Sequence, residues 1–372
     1  MLHDMLEVEM LRDTVVQVKL KTISDNMDKI CEMAGKEVAV MPVIKADGYG
    51  HGAVGIAPTL MEHGASYLAV ATLTEALELR KNYKDYPIFI LGHTPDRLLP
   101  VVVEHNITQT IFSSSQARIL AEESKKAGKK AKIHVKVDTG FHRLGTDDIA
   151  ELKEICSFKE IETEGIFSHL ALVNDEENKK QYTKFLNIIA ELENQGLSFK
   201  YKHIADSISA VDYPEYRMNM IRPGALVFGL RGFHKGFVDV KQAMIFVTRI
   251  SQLHQVSEGE GVGYDYLWKA PKDMTIGTLP FGYADGYPRN MRDKGYVTIK
   301  GFKCPIIGVI CMDQCMVDLS EVPEVKEGEL AIIYGDGSEN TMTIEEAAKL
   351  AETNKNEIVA RITARPPREY LE

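Results

Sequence analysis

One lysine stands at the mouth of an apolar run. In MPVIKADGYGHG, the run 38–44 reads as a buried strand, Lys45 closes it, and Gly48, Gly50 and Gly52 follow. A desolvated lysine loses its proton and can condense with an aldehyde as a Schiff base. The three glycines would let backbone amides approach an anion such as a phosphate. The same residues also describe a surface lysine before a flexible turn, so this stretch alone leaves both readings open.

Further polar residues fall at the ends of other apolar runs. Lys136, Asp138 and Arg143 sit in VKVDTGFHRLG, His169 in GIFSHL, His203, Asp206 and Ser207 in HIADS, and Arg222 and Gly224 in IRPGALVFG. A lone histidine at a strand end is more often a satisfied core residue than a catalyst. Polar residues at so many strand ends resist that explanation, because barrel interiors favour Val, Ile and Leu.

The elements that must position these groups alternate. After a first strand at 15–20 and a helix at 23–33 come eight short apolar runs: 38–44, 67–71, 88–91, 108–112, 132–137, 165–168, 201–204 and 220–221. Amphipathic segments such as 73–82, 115–127, 147–156 and 178–194 separate them. Eight strand–helix units predict a (β/α)8 TIM barrel, whose ligand site lies at the C-terminal ends of the strands. A doubly wound sheet is the alternative, but its Gly-rich dinucleotide fingerprint is absent. Near 236–245 the texture changes to short alternating runs with Gly turns, at 242–256, 274–279, 296–300, 304–310, 316–319 and 329–334. These predict a mostly antiparallel β domain, with one helix at 343–353 opened by a Thr343/Glu346 capping box. The expected units are 1–240 and 241–372, and the first strand is free to join the second unit.

Composition narrows the class. The 372 residues carry a formal charge of -10, which argues against nucleic acid or an anionic membrane as partner. Lys125, Lys126, Lys129 and Lys130 surround Gly128 and read as a solvated helix end. The opening MLHDMLEVEMLRD lacks the basic and apolar regions of a signal peptide, and no apolar run approaches the ~20 residues of a membrane span. Cys31, Cys156, Cys304, Cys311 and Cys315 are scattered without zinc spacing, which points to reduced thiols, no metal, and a cytoplasmic setting.

IKADGYGHG resembles the pyridoxal-phosphate (PLP) attachment motif of the alanine racemase family. Supporting stretches are VKVDTGFHRLG, FSHLA, HIADS, NMIRPGALVFG, VGYDY, GYADGYPR and GVICMDQCMVDL, in that order, from about Val15 to Arg368. The resemblance implies a TIM barrel and a C-terminal β domain in a head-to-tail homodimer, with active sites shared between subunits. It implies racemisation of a small amino acid, L-alanine to D-alanine, feeding peptidoglycan. Lys45 would carry PLP and act as one base. Tyr264 of the partner subunit would be the opposite base, beside a hydrogen-bond chain through His169 and Arg222. Arg222 would face the pyridine nitrogen. Tyr49, Ser207 and the amides of Gly224 and Ala225 would hold the phosphate. Arg143 would reach the cofactor's phenolic oxygen and the substrate carboxylate. The Met312 amide would bind that carboxylate, Asp313 would shape the approach, and Tyr283 would line the channel. Lys136, seven residues before Arg143, stands where many members carry a carbamylated lysine.

Two positions depart from the pattern. Asp206 replaces the Asn that often precedes the phosphate-binding serine. Ala364, in ITARPPR, stands where several members have a tyrosine that touches the phosphate and crowds the substrate. The second departure raises an alternative substrate, serine alone or beside alanine. A PLP carrier without turnover is opposed by VGYDY and CMDQ, and a PLP decarboxylase by Arg222. A Schiff-base aldolase would need no cofactor.

Overall fold

The computed structural model describes residues 11–372. The opening MLHDMLEVEM, read above as no signal peptide, lies outside the described residues. The chain starts with β1 (Val15–Lys19) and α1 (Leu20–Ala34), whose buried Ile23, Met27, Ile30 and Ala34 recur at helical spacing on one face. The eight expected runs then appear as β2 (Ala39–Val40), β3 (Leu68–Val70), β4 (Ile88–Ile90), β5 (Thr108–Ile111), β6 (Ala131–Lys136), β7 (Ile161–Phe167), β8 (Tyr201–His203) and β9 (Met220–Ile221). Strands β3 to β8 form one parallel sheet in chain order, and β2 pairs β9 in parallel. Single bridges complete the ring: Val43 to Ala69 on one side, Asp206 to Arg222 on the other. Met41, Val43, Tyr67, Ala69, Phe89, Phe167 and Met220 fill the inside as one buried cluster.

The helical segments are α2 (Lys45–Tyr49), α3 (Ala53–Glu62), α4 (Leu73–Asn82), α5 (Leu99–Glu104), α6 (Ser114–Ala127), α7 (Ile149–Ser157), α8 (Asp175–Asn194) and α9 (Ser207–Asp212). Their ends follow local chemistry. Thr72 and Glu75 close a reciprocal capping box on α4. Gly128 ends α6 in the left-handed region at φ 67°, with Lys125 and Lys126 in the last turn, as the charge pattern predicts. The first apolar run is shorter as a strand than expected. Pro42 has no N–H to donate, so ladder pairing stops at Val40, although Met41 and Val43 still bond Ile221 and Pro223.

The second unit contains β10 (Met244–Arg249), β11 (Gln252–Val256), β12 (Gly261–Val262), β13 (Trp268–Lys269), β14 (Met274–Leu279), β15 (Tyr296–Ile299), β16 (Phe302–Ile307), β17 (Cys315–Asp318), β18 (Leu330–Tyr334), α10 (Ile344–Leu350), α11 (Lys355–Ala360) and β19 (Arg368–Leu371). A nine-stranded sheet runs β11-β14-β17-β16-β15-β18-β10-β1-β19. It is antiparallel except where β1 meets β19. The first strand therefore does lie in the C-terminal sheet. The expected run 242–256 divides into two strands, and β12, β13, β19 and α11 are additional to the sequence reading. The capping box expected at Thr343 is half made. Thr343 accepts from the Glu346 amide, but the Glu346 carboxylate is taken by the Tyr296 hydroxyl at 2.9 Å. Among the described residues no helix is long and apolar enough to cross a membrane.

Candidate active site

A cavity of about 400 Å³ opens at the C-terminal ends of the barrel strands. Lys45, Tyr49, Lys136, Arg143, His169, Asp206, Ser207, Arg222, Gly224 and Ala225, ten of the residues singled out from sequence, line it together.

Lys45 begins a turn that winds the wrong way. Ala46, Asp47 and Gly48 have φ of 52°, 52° and 63°, and Tyr49 has 53°. Each non-glycine residue in this region costs about 1 kcal/mol, so neighbours must hold the turn. Glu75 accepts the Ala46 amide at 2.7 Å, Asp47 accepts from Ala53 at 2.8 Å, and Arg368 donates to the Gly50 carbonyl at 3.0 Å. His51, fully buried and stacked on Phe228, uses Nδ1 to bond the Gly48 and Tyr49 carbonyls. The glycines serve this turn and its packing, not an anion. The amides of Gly48, Gly50 and Gly52 donate to Ile44, Ala46 and Asp47, so the expected phosphate contact by these three does not form. A Cβ at Gly50 would lie 2.3 Å from the Val359 carbonyl oxygen, which explains the glycine there. Burial lowers the Lys45 pKa and the Arg143 charge adds to it, with Glu75 opposing. The amine is thereby biased toward its neutral, nucleophilic form.

The anion cradle lies on the other wall. Ser207 Oγ accepts from the Gly224 amide at 2.9 Å and the Leu226 amide at 3.3 Å. A Cβ on Gly224 would stand 2.5 Å from the Tyr49 hydroxyl, so only glycine leaves this corner open. Burial, reinforced by Asp206, raises the Tyr49 pKa to about 12, and the phenol stays a donor. Asp206, the departure flagged from sequence, lines the cavity too and at the same time caps its own helix. Its Oδ1 caps α9 by accepting from the Ser209 amide and hydroxyl at 2.9 and 2.7 Å.

Arg222 is buried on the barrel axis. It donates to His203 Nδ1 at 2.6 Å and to the carbonyls of Ser168 and Ile204 at 2.8 and 3.0 Å. Three of its five N–H donors are spent, leaving two for the cavity. Burial lowers its pKa to about 10, opposed by Asp206, so it remains cationic near neutrality. The histidine joined to Arg222 is thus His203, not His169 as the resemblance implied. His169 packs on Phe141, and burial with the Arg222 charge lowers its pKa. Because an arginine only donates, His203 Nδ1 must accept. Its proton then sits on Nε2, which donates to His134 Nδ1 at 2.8 Å. Burial and Arg222 hold both rings neutral, His134 down to about 3.

Lys136 ends β6 beside Phe167, its ammonium 4.6 Å from the ring centroid. Among the described residues it forms no salt bridge. Burial, then Arg222 and Arg143, drive its pKa well below the ordinary lysine value, and Asp138 only partly opposes. Asp138 instead shapes the loop that carries Arg143. Its Oδ1 accepts from the amides of Gly140, Phe141 and His142 at 2.9, 3.1 and 3.1 Å.

The remaining predicted residues are elsewhere in the chain. Tyr264, Met312 and Asp313 line a separate open groove in the C-terminal unit. Tyr264 is 65% exposed, Met312 53% and Tyr283 39%. Tyr283 adjoins the groove through its amide bond to Cys311. Ala364 is exposed in a third groove with Asp47 and Arg368, and is not part of the lining of the Lys45 cavity. The space beside the substrate expected from this alanine is therefore not formed within one chain. Sequence reasoning missed Lys355 and Asn356, which also line the Lys45 cavity. Their only signal was Asn354, an N-cap residue that opens α11.

By similarity to known proteins, this closed barrel with a buried lysine at its mouth and a mostly antiparallel β continuation is an amino-acid racemase, an isomerase. Residues 18–232 match the family model described as alanine racemase, N-terminal domain, and 243–370 the one described as alanine racemase, C-terminal domain. The chain belongs to the alanine racemase family. It is 38% identical to the alanine racemase of Clostridium tetani, covering 97% of this chain and 96% of that one. It is 35% identical to that of Methanococcus maripaludis over 95% of this chain and 98% of that one. The solved alanine racemase of Clostridium difficile 630 superposes with a TM-score of 0.93 at 33% identity, covering 97% and 96% of the two chains. All three carry the name alanine racemase, which favours alanine over the serine alternative.

Proposed function

We propose that this chain interconverts L- and D-alanine as a PLP-dependent homodimer with active sites shared between subunits. The observation that carries the reading is the convergence of Lys45, Arg222 and the Tyr49–Ser207–Gly224 corner on one cavity.

The residues present fit PLP. The corner between Tyr49 and Gly224 is open only because residue 224 has no Cβ, and it offers a phenol and a hydroxyl, donors a phosphate takes, the hydroxyl oxygen being fixed by the Gly224 and Leu226 amides. Lys45 would hold the aldehyde carbon, Arg222 would face the ring nitrogen, and Arg143 would reach the phenolic oxygen and the substrate carboxylate. When bound, the cofactor supplies an electron sink that acidifies the substrate's α C–H.

Racemisation takes a proton from one face of the α-carbon and returns one to the other. Lys45 is suited to one face because burial and Arg143 favour its neutral amine. Tyr264 of the partner subunit would serve the opposite face, with Met312 and Asp313 beside it to receive the carboxylate. The support is that all three line an exposed groove separate from Lys45, as expected of a surface that completes a neighbour's site. Tyr264 needs positive charge nearby to ionise near neutrality, since a free tyrosine has a pKa of about 10. Arg222, clamped by His203 and two carbonyls, would offer that charge. As a fixed cation it would also leave the ring nitrogen without a proton of its own, which limits delocalisation and side reactions. Lys136, biased by burial and by the Arg222 and Arg143 charges toward its neutral amine and without a carboxylate partner among the described residues, is suited to capture CO2 as a carbamate that would steady Arg143. Free thiols at all five cysteines support a cytoplasmic setting, where D-alanine would feed peptidoglycan.

The test is incubation of the PLP-loaded protein with L-alanine, and separately L-serine, followed by chiral analysis. D-Alanine is expected to accumulate to near equality with the L form. Absence of D-alanine from protein that holds PLP would overturn the activity.

A further inference from the structure

Every donor named so far as open to the phosphate is neutral: the Tyr49 phenol, the Ser207 hydroxyl and the amide of residue 225. A phosphate monoester carries close to two negative charges at neutral pH. One further cation lining the cavity comes from the C-terminal unit. Lys355 opens α11, which Asn354 caps by accepting the Glu357 amide at 3.0 Å, and its side chain lines the Lys45 cavity. Its position follows from what surrounds Gly232. A Cβ at Gly232 would stand 2.4 Å from Lys355 Nζ and 3.6 Å from the Ile208 side chain. The ammonium therefore rests against Gly232, a position that the side chain of Ile208, the residue after Ser207, also approaches. Among the described residues Lys355 forms no hydrogen bond and no salt bridge. A side chain longer than hydrogen at 232 would meet the ammonium.

We propose that Lys355 is the charge partner of the cofactor's phosphate, reaching from α11 to the rim of the Tyr49–Ser207–Gly224 corner. This rests on the PLP reading above and deepens it. Burial lowers the Lys355 pKa, opposed by Glu345, so the lone ammonium is held at a cost that an arriving dianion would offset. Lys355 is then a cofactor-binding residue that touches neither the reacting carbon nor either base. It also ties cofactor retention to the docking of α11 on the barrel.

The experiment compares PLP with pyridoxal, which keeps the ring and aldehyde but lacks the phosphate. Purified full-length protein, freed of cofactor, is titrated with each by absorbance, for the unaltered chain, Lys355→Met and Lys355→Arg. Lys355→Met should weaken PLP by about ten-fold or more, and change pyridoxal by less than about two-fold, because only PLP carries the charge. Lys355→Arg should restore most of the loss. The gap between unaltered and Met proteins should narrow as NaCl is raised. Equal weakening of both ligands, or no weakening of PLP, would overturn the proposal and leave Lys355 as a packing residue of α11. A protein that retains neither ligand in its unaltered form would overturn the PLP reading itself, and this role with it.

Discussion

Two inactive variants should make one active enzyme. Lys45→Ala removes the amine proposed to hold the cofactor, and Tyr264→Phe removes the hydroxyl of the proposed opposite base. Lys45 and Tyr264 line different cavities of one chain, and Tyr264 is 65% exposed. If each site takes Lys45 from one subunit and Tyr264 from the other, a mixed dimer has one site with both residues intact and one with neither. A two-fold assembly made from equal amounts of the variants is half heterodimer, so the mixture should recover about a quarter of unaltered activity. Heterodimers isolated through two different tags should reach about half. The assay is D-alanine formation by the parents, the mixture and the purified heterodimer. The exposed side chains of Tyr264, Tyr266, Leu267 and Met312 form the kind of apolar surface that an interface covers. A heterodimer no more active than its parents, while still dimeric and holding PLP, would refute the shared site and return both bases to one subunit.

Gly224→Ala would set a methyl carbon 2.5 Å from the Tyr49 hydroxyl, so the phenol must move and PLP affinity should fall by about ten-fold; an unchanged absorbance titration would contradict the corner as drawn. Acid should destabilise the fold through its buried histidines. The His51 pKa is lowered from 6.5 to about 4, mainly by burial, so the unfolded chain binds the proton first. Its contribution is present above pH 6.5 and is lost as pH falls toward 4, at about 1.4 kcal/mol per pH unit. Urea unfolding of His51→Asn should show a shallower loss over that window, and an unaltered slope would exclude the mechanism. Lys136 should take up CO2, forming an N–C bond and releasing a proton, so labelled bicarbonate should give a carbamate carbon signal that vanishes in Lys136→Met; a signal that persists would place the carbamate elsewhere.

The site was legible where strand-end position alone decides it. A barrel turns the C-terminal ends of β2, β6, β7, β8 and β9 to one mouth, so Lys45, Lys136, His169, Ser207 and Arg222 had to meet once eight units were counted. Partner choice was less legible. His169 and His203 each end a strand, and only the local geometry at Arg222 decides which ring it reaches. The glycines of the Lys45 turn were readable as glycines but not by purpose. For Gly50 and Gly52 the need comes from Val359 and Tyr370, more than 300 residues further on. Helix α11 is six residues long, too short for a periodic pattern, which is why Lys355 escaped notice. Strand β19 is half-buried along its whole length and is placed by pairing with β1, which no local signal announces.

That pairing has a bearing on how the enzyme comes into being. Strand β19 lies beside the first described strand, and from it Arg368 and Tyr370 reach the carbonyls of Gly50 and Gly52 at 3.0 and 3.3 Å. On the ribosome the barrel emerges long before these residues exist. A nascent barrel can therefore assemble its strands while the left-handed turn beyond Lys45 still lacks its clamp, and β1 waits for both of its sheet neighbours. Chemical competence arrives as a late event in synthesis, after the scaffold is already in place. A chain released early would lack that clamp, leaving the turn beyond Lys45 without its contacts from β19.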